Sequence, residues 1–264
     1  MRNMDFGLRD KVAIVTGSSK GMGLAITKAY LQEGVKVMMV SRDEERLKNH
    51  FSAFQKQGGI VDYVAGDVAD PKLATKVVKK VEDIWGRVDI LINNAGGPPM
   101  GTFMEHDEKV WETAMQTNLM SVVRFCQAVA PLMIHNNWGR IISITSTAAK
   151  EPAPVMILSS TARAGVGAFT KAISTELARY NISVNIICPG GVLTERLESL
   201  IAARGERENR NYDELLNESQ MGIPAQRFAS PEEIADIILF LTSERGGYIT
   251  GVSLAVDGGL LKSF

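Results

Sequence analysis

Short apolar stretches alternate with longer helical patterns along almost the whole chain. The apolar stretches predict seven strands, at residues 11–16, 35–40, 60–65, 89–92, 140–145, 182–188 and 252–256. Helical periodicity between them predicts six main helices, at residues 23–33, 44–57, 71–85, 108–134, 159–180 and 231–241. Several strands are almost wholly apolar, which is typical of parallel strands buried on both faces. The alternation therefore predicts an α/β fold with a doubly wound parallel sheet of about seven strands.

Length and charge narrow the class of protein further. With 264 residues the chain has room for one large α/β domain, so we expect a single domain over residues 1–264. The net charge is −1 and no long run of one sign occurs, which argues against nucleic acid or an anionic membrane as a partner. No apolar run reaches the length of a membrane span, and the first ten residues do not resemble a signal peptide. We expect a cytoplasmic protein.

The segment 194–227 interrupts the alternation. It is longer than an ordinary connection and combines many charged residues with apolar residues at helical spacing, such as Leu197, Leu200 and Ile201. We interpret it as a helical excursion in the position of a substrate lid. The alternative is a surface insertion that does not form a lid.

A glycine-rich turn follows the first strand and opens the first helix. Its residues are Gly17, Ser18, Ser19, Lys20, Gly21, Met22 and Gly23. Such a turn lets the backbone approach a pyrophosphate and directs helix N-terminal N–H groups at it. A glycine cluster alone fits any tight turn, but its place in a βαβ unit favours a dinucleotide site in a Rossmann-like sheet.

The residues at the end of the second strand bear on which dinucleotide binds. NAD-binding proteins place a carboxylate there for the ribose 2′-hydroxyl, whereas this chain has Ser41 followed by Arg42. A guanidinium pairs with a 2′-phosphate, and Lys20 in the turn adds a second positive charge. Asp43 precedes a helix and is expected to cap it. The sequence therefore favours NADP(H) as the cofactor.

These motifs together resemble the short-chain dehydrogenase/reductase family. The resemblance is carried by the glycine turn, Gly66-Asp67-Val68, Asn93-Asn94-Ala95-Gly96, Pro189-Gly190 and Val256-Asp257-Gly258-Gly259, and it extends from about residue 8 to residue 260. The branch with bacterial 3-oxoacyl-carrier-protein reductases is the most similar. The resemblance implies an oxidoreductase acting on a small-molecule substrate, and a homotetramer in which the helices predicted at 108–134 and 159–180 pair.

The resemblance also implies cofactor contacts at particular residues. Asp67 and Val68 would flank the adenine, while Asn94, Ala95 and Gly96 would approach the nicotinamide ribose. Pro189 and Gly190, at the end of the sixth strand, are expected in the same cofactor site, and after them Val192 and Thr194 would hold the carboxamide and a phosphate.

Two catalytic positions of the family are present in this chain. Ser146 ends the fifth strand and matches the catalytic serine. Asn118 lies on the apolar face of its helix, and in the family this position anchors a water that relays protons. A structural asparagine bonded to neighbouring backbone is the alternative for Asn118.

The other two catalytic positions depart from the family. The serine is followed there by a tyrosine and, one helical turn later, by a lysine, and counting from Ser146 these positions fall on Ser159 and Arg163. None of the five tyrosines lies within reach of another alignment. A gap of about five pKa units between serine and tyrosine corresponds to about 7 kcal/mol, so Ser159 alone is a poor proton donor. Arg163 can bind ribose hydroxyls or an oxyanion, but it does not cycle a proton.

Three functions are compatible with this pattern. An active oxidoreductase would polarise a carbonyl with Ser146, Ser159 and Arg163 and use water to relay the proton. A cofactor-binding protein without turnover would act as a sensor or an assembly partner. A different reaction on the same scaffold, such as a lyase or dehydratase step, is the third, with Lys150 and Glu151 as spare acid/base candidates or simply an exposed charged pair.

Overall fold

Seven parallel strands form the central sheet of the computed structural model, which describes residues 5–263. The strands are β1 Val12–Thr16, β2 Lys36–Ser41, β3 Val61–Ala65, β4 Ile90–Asn93, β5 Gly139–Ile144, β6 Ile182–Pro189 and β7 Ser253–Val256. Their order in the sheet is β3-β2-β1-β4-β5-β6-β7, and each neighbouring pair is parallel. The predicted α/β fold with a Rossmann-like parallel sheet is confirmed, and every strand bound agrees with its prediction to within one residue.

Helices cover both faces of the sheet, as the predicted alternation requires. They are α1 Gly21–Gln32, α2 Glu44–Lys56, α3 Leu73–Trp85, α4 Glu108–Met115, α5 Ser121–His135, α6 Ile157–Leu177, α7 Glu195–Glu208, α8 Tyr212–Met221 and α9 Pro231–Thr242. One apolar cluster joins β1 and β2 to α1 and α9, and a second joins the other face of the strands to α3 and α5. Burial on both faces explains why these strands are apolar throughout.

The helix predicted over residues 108–134 has a more complex structure. It consists of α4 and α5 joined by one π-helical turn, Gln116–Met120, in which the Ser121 amide donates to the Gln116 carbonyl. A π turn inserts one extra residue into the helical register, and such turns are frequent at functional sites. Asn118 lies in this turn.

The same helical stretch, Glu108–His135, is long and apolar enough by length and composition alone to cross a membrane. This differs from the sequence expectation that no stretch reaches that length. One face of α5, including Phe125, Val129 and Met133, is buried against the sheet. A core helix of a water-soluble domain has this property too, because its buried face is apolar for packing.

The segment expected as a helical excursion contains α7 and α8. Ile201, Leu215, Ile223 and Phe228 form a small apolar cluster of their own, separate from the two clusters on the sheet. The chain then returns to the sheet side, where the Leu193 amide donates to the Ala229 carbonyl at 2.9 Å. The excursion therefore has an apolar core of its own beside the two clusters on the sheet.

Asp89 ties three strands together at the amino-terminal edge of the sheet. Its carboxylate is fully buried, accepts from the Val12 amide at 2.8 Å and pairs with Arg87. Its backbone bonds to Val12 on one side and Arg140 on the other. Removal of this carboxylate leaves a buried N–H of β1 without an acceptor.

We expect Asp89→Ala to lower the free energy of unfolding by about 2 kcal/mol, since it leaves the buried Val12 N–H without an acceptor and removes the partner of Arg87. Asp83→Ala is the matched control, because Asp83 pairs with Lys79 on the exposed side of α3, and such pairs contribute less than about 1 kcal/mol. Urea unfolding followed by circular dichroism measures both. Equal losses in the two variants would contradict the role given to Asp89.

Candidate functional site

The glycine turn packs directly on the carboxyl end of β4. A Cβ atom at Gly17 would lie 2.5 Å from the Asn94 carbonyl oxygen, and one at Gly23 would lie 2.2 Å from the Gly17 carbonyl oxygen. Gly17 also has φ +60°, in the left-handed region that favours glycine. The Asn94 side chain donates to the Gly17 carbonyl at 3.2 Å. The two glycines therefore permit a contact between turn and strand that no other residue allows.

Serine side chains join the turn to the end of β2. The hydroxyls of Ser19 and Ser41 are 2.8 Å apart, and the Val40 amide donates to Ser18 at 2.9 Å. No carboxylate occupies the last position of β2, because that residue is Ser41. The edge of β2 lacks the acidic side chain with which NAD-binding proteins hold a ribose hydroxyl.

Three cations surround this edge, two of which were predicted from the sequence. Arg42 is largely exposed, with its guanidinium 3.6 Å from Asp67, and Lys20 pairs with Glu195 at 2.7 Å. Arg46 was missed; it lies on the first turn of α2 and pairs with the same Glu195 at 2.7 Å. Its place in the first turn of the helix that directly follows Arg42 was the available signal.

Asp43 has the role predicted for it. Its carboxylate accepts from the Arg46 amide at 3.0 Å and caps α2. Because that carboxylate caps the helix, it does not replace the acidic group missing from β2.

The remaining predicted cofactor residues lie along the same edge. Thr194 caps α7 and stands opposite Gly21, whose Cβ would lie 3.2 Å from the Thr194 methyl group. Val192 is buried and bridges to Ala229. The others are at the carboxyl ends of strands or directly after them: Asp67 and Val68 after β3, Asn94, Ala95 and Gly96 after β4, and Pro189 and Gly190 at β6.

Asn118 combines features of both interpretations of its role. Its side-chain amide donates to the Gly96 carbonyl at 2.9 Å, as a structural asparagine would. Its Oδ1 atom is buried and has no hydrogen-bond partner within residues 5–263. One end of the side chain thus holds the loop after β4, and the other is available to a water or a ligand.

Arg163 projects from α6 towards the end of β5. Its guanidinium donates to the Thr145 carbonyl, next to Ser146, while its buried Nε has no partner within the described residues. Burial above all, and then the charge of the nearby Arg196, lower the pKa of Arg163 to about 10. The group remains a cation at neutral pH.

A small cavity of about 20 Å³ lies between these groups. Asn118, Thr145 and Arg163 are among the residues that line it. This volume accommodates about one water molecule. Asn118 and Arg163, each of which has an unpartnered buried polar atom, therefore line the same cavity.

The two serines of the candidate catalytic centre lie on different elements of the fold. The Ser146 hydroxyl accepts from the Ala148 amide at 3.2 Å, at the start of the turn after β5. Ser159 is buried on α6, one helical turn before Arg163. Its hydroxyl forms no hydrogen bond with any of residues 5–263.

The carboxylate of Glu151 is bonded to backbone near the end of the chain. Glu151, considered as a spare acid/base group, accepts from the amides of Lys262 and Ser263, and these bonds lower its pKa.

Arg196, which was not predicted as a site residue, donates to the Pro98 carbonyl at 2.7 Å. Arg196 therefore connects the start of α7 to the loop after β4.

The chain is similar to known proteins over nearly its whole length. Residues 11–205 match the short chain dehydrogenase family. The 3-oxoacyl-[acyl-carrier-protein] reductase FabG of Chlamydia muridarum is 35% identical over 254 residues, which are 96% of this chain and 98% of that protein.

Solved structures of reductases have the same fold. The L-sorbose reductase from Gluconobacter frateurii, complexed with NADPH and L-sorbose, has a TM-score of 0.93 and 35% identity, covering 99% of this chain and all of that one. A variant of the actinorhodin polyketide ketoreductase, in a structure with NADPH, has a TM-score of 0.92 and 32% identity, covering 96% of this chain and 98% of that one.

We expect Asn118→Ala to loosen the loop after β4, because the Gly96 carbonyl loses its donor. Amide exchange at residues 94–97 should accelerate about tenfold, as one such bond contributes about 1 kcal/mol or more. Thr113→Ala is the control, since the Thr113 hydroxyl bonds to Lys109 on the exposed side of α4. Unchanged exchange in Asn118→Ala, measured by mass spectrometry, would contradict this role.

Proposed function

Since the chain belongs to the short-chain dehydrogenase family, we propose that it is an NADP(H)-dependent oxidoreductase that interconverts a carbonyl and an alcohol in a small-molecule substrate. The observation that carries this proposal is the glycine turn packed on the end of β4, beside three cations and without a carboxylate at the end of β2. A dinucleotide with a 2′-phosphate fits this arrangement of charge.

The residues that would hold the cofactor follow from their positions. Gly17, Gly21 and Gly23 let the turn pack closely on Asn94 and Thr194, and the turn leads into the N-terminus of α1, whose N–H groups would bind a pyrophosphate. Lys20, Arg42 and Arg46 supply positive charge for the 2′-phosphate. Their present partners are exposed carboxylates, and such exposed pairs are weak enough for a phosphate to displace.

The second part of the cofactor would lie over the ends of β4 and β6. We assign Asn94, Ala95 and Gly96 to the nicotinamide ribose and Val192 and Thr194 to the carboxamide and a phosphate. Asp67 and Val68 would flank the adenine, and Pro189 and Gly190 would shape the floor of the site. NADPH, when bound, supplies a hydride.

The reacting oxygen of the substrate would lie among Ser146, Ser159 and Arg163. The hydroxyls and the guanidinium donate hydrogen bonds that stabilise negative charge on this oxygen. Arg163 stays protonated and Ser159 is a weak acid, so neither supplies the proton readily. We assign the relay to a water in the cavity between Asn118 Oδ1 and Arg163 Nε.

A cofactor-binding protein without turnover is the second candidate function. Its support is the nature of residue 159: a buried serine hydroxyl ionises far less readily than the tyrosine of the family. The cofactor site would then serve sensing or assembly.

The proposal extends to assembly and location. We propose a cytoplasmic homotetramer in which α5 and α6 pair with their copies. Ala164, Ala168 and Ala172 support close pairing, because they form an exposed row of small side chains along α6. The helices α7 and α8 would form the substrate lid.

Cofactor preference is tested first by binding. We expect NADPH to bind at least tenfold more tightly than NADH, and Arg42→Ala to remove most of this difference, because a charge-assisted hydrogen bond to phosphate is lost. Lys48→Ala is the control: Lys48 lies on α2, which follows Arg42 in the chain, and it pairs with Glu44. Isothermal titration of all three proteins measures the dissociation constants. An Arg42 variant that still discriminates would refute the assignment of Arg42 to the 2′-phosphate.

Catalysis is tested with ketones, aldehydes and 3-oxoacyl thioesters while NADPH oxidation is followed. In an oxidoreductase built around serine and arginine, Arg163→Ala should lower kcat/KM by about 100-fold, and the double variant Ser159→Tyr, Arg163→Lys should lower the native activity. In a non-catalytic protein the wild type is inactive, and the double variant gains carbonyl reduction. A double variant that neither gains nor loses activity would contradict both functions.

A further inference from the structure

Two guanidinium groups flank Gly97 in the loop after β4. A Cβ atom at Gly97 would lie 3.1 Å from Nη2 of Arg196 and 3.6 Å from Nη2 of Arg163. Arg163 reaches this point from α6 and Arg196 from the first turn of α7. The two side chains therefore meet from opposite sides of the candidate active site.

Neither guanidinium is neutralised by the protein. Within residues 5–263 no carboxylate lies within ion-pair distance of Arg163 or Arg196, and their hydrogen bonds go to the carbonyls of Thr145 and Pro98. The other arginines of the segment 194–227 behave differently. Each of them pairs with a glutamate: Arg204, Arg207, Arg210 and Arg227.

The charge repulsion between these two partly buried guanidinium groups is unfavourable for the folded protein. Burial lowers the pKa of both groups, and their mutual repulsion lowers that of Arg163 further. An anion between them would remove the repulsion and satisfy the free N–H groups, since the guanidinium fork matches a carboxylate. The absence of a side chain at Gly97 leaves the space between the two groups open.

We propose that Arg163 and Arg196 together bind the carboxylate of the substrate, so that the substrate is an oxo acid. The proposal rests on the oxidoreductase function proposed above. Ser159 lies one turn before Arg163 on the same face of α6, so that their Cβ atoms are about 5–6 Å apart. With Nη2 of Arg163 and Nη2 of Arg196 on the carboxylate and the serine hydroxyls on the carbonyl oxygen, both groups would belong to one small molecule, a short-chain oxo acid.

The first test uses binding and does not need turnover. Malonate, a dicarboxylate that cannot be reduced, is titrated calorimetrically into the NADPH-loaded wild type, Arg196→Gln, Gly97→Ala and Arg179→Gln. We expect Arg196→Gln to weaken malonate binding at least tenfold and Gly97→Ala to weaken it as well, because its methyl group fills the space between the guanidiniums. Arg179 is the matched control, since this exposed arginine stacks on the ring of Tyr180. Dimethyl malonate should not bind.

The second test compares acetoacetate with ethyl acetoacetate as substrates. We expect the wild type to prefer the acid by at least tenfold in kcat/KM, and Arg196→Gln to lose this preference while its Kd for NADPH is unchanged. Malonate binding that depends on Arg196 in a protein without turnover would support the anion site and refute the oxidoreductase function. Equal activity on acid and ester, malonate binding unaffected by Arg196→Gln, or a loss of NADPH binding in that variant would overturn the proposal.

Discussion

The close contact between the glycine turn and the end of β4 is the feature on which the site depends. The chain builds β1, β2 and β3 towards one edge of the sheet and then returns to place β4 on the other side of β1. The connections on either side of this point diverge and leave a crevice above the strand ends. Gly17 and Gly23 allow the turn to pack against Asn94 there. The cofactor residues all lie along this edge because parallel strands end on the same side.

Positive charge is distributed in two groups, and burial distinguishes them. Lys20, Arg42 and Arg46 are exposed and have carboxylate partners that a phosphate can displace. Arg163 and Arg196 are more enclosed and have no acidic partner within residues 5–263. The first group is therefore suited to a ligand with a strong negative charge, such as a phosphate. We propose that the second group binds a small anion, for which α7 supplies Arg196.

The accuracy of the sequence prediction follows from burial. The strands in the middle of the sheet are predicted to within one residue because β1, β4, β5 and β6 are buried along their whole length, so that mostly apolar residues mark where each begins and ends. The π turn around Asn118 was not predicted, since a shift from one hydrogen-bond register to another has no signature in residue type. Arg196 was also missed: an arginine in a charged segment has the same local pattern whether it faces solvent or a neighbouring cation.

The sequence by itself determined the α/β class and the position of the glycine turn, and it predicted Ser159 and Arg163 at the catalytic positions, because these inferences depend on local spacing and on periodic burial. Only the tertiary structure decided which charges meet. Glu195 joins Lys20 to Arg46, and Arg196 approaches Arg163, across long separations in the chain. Electrostatic interactions depend on distance and burial in space, and the path of the loops brings these residues together.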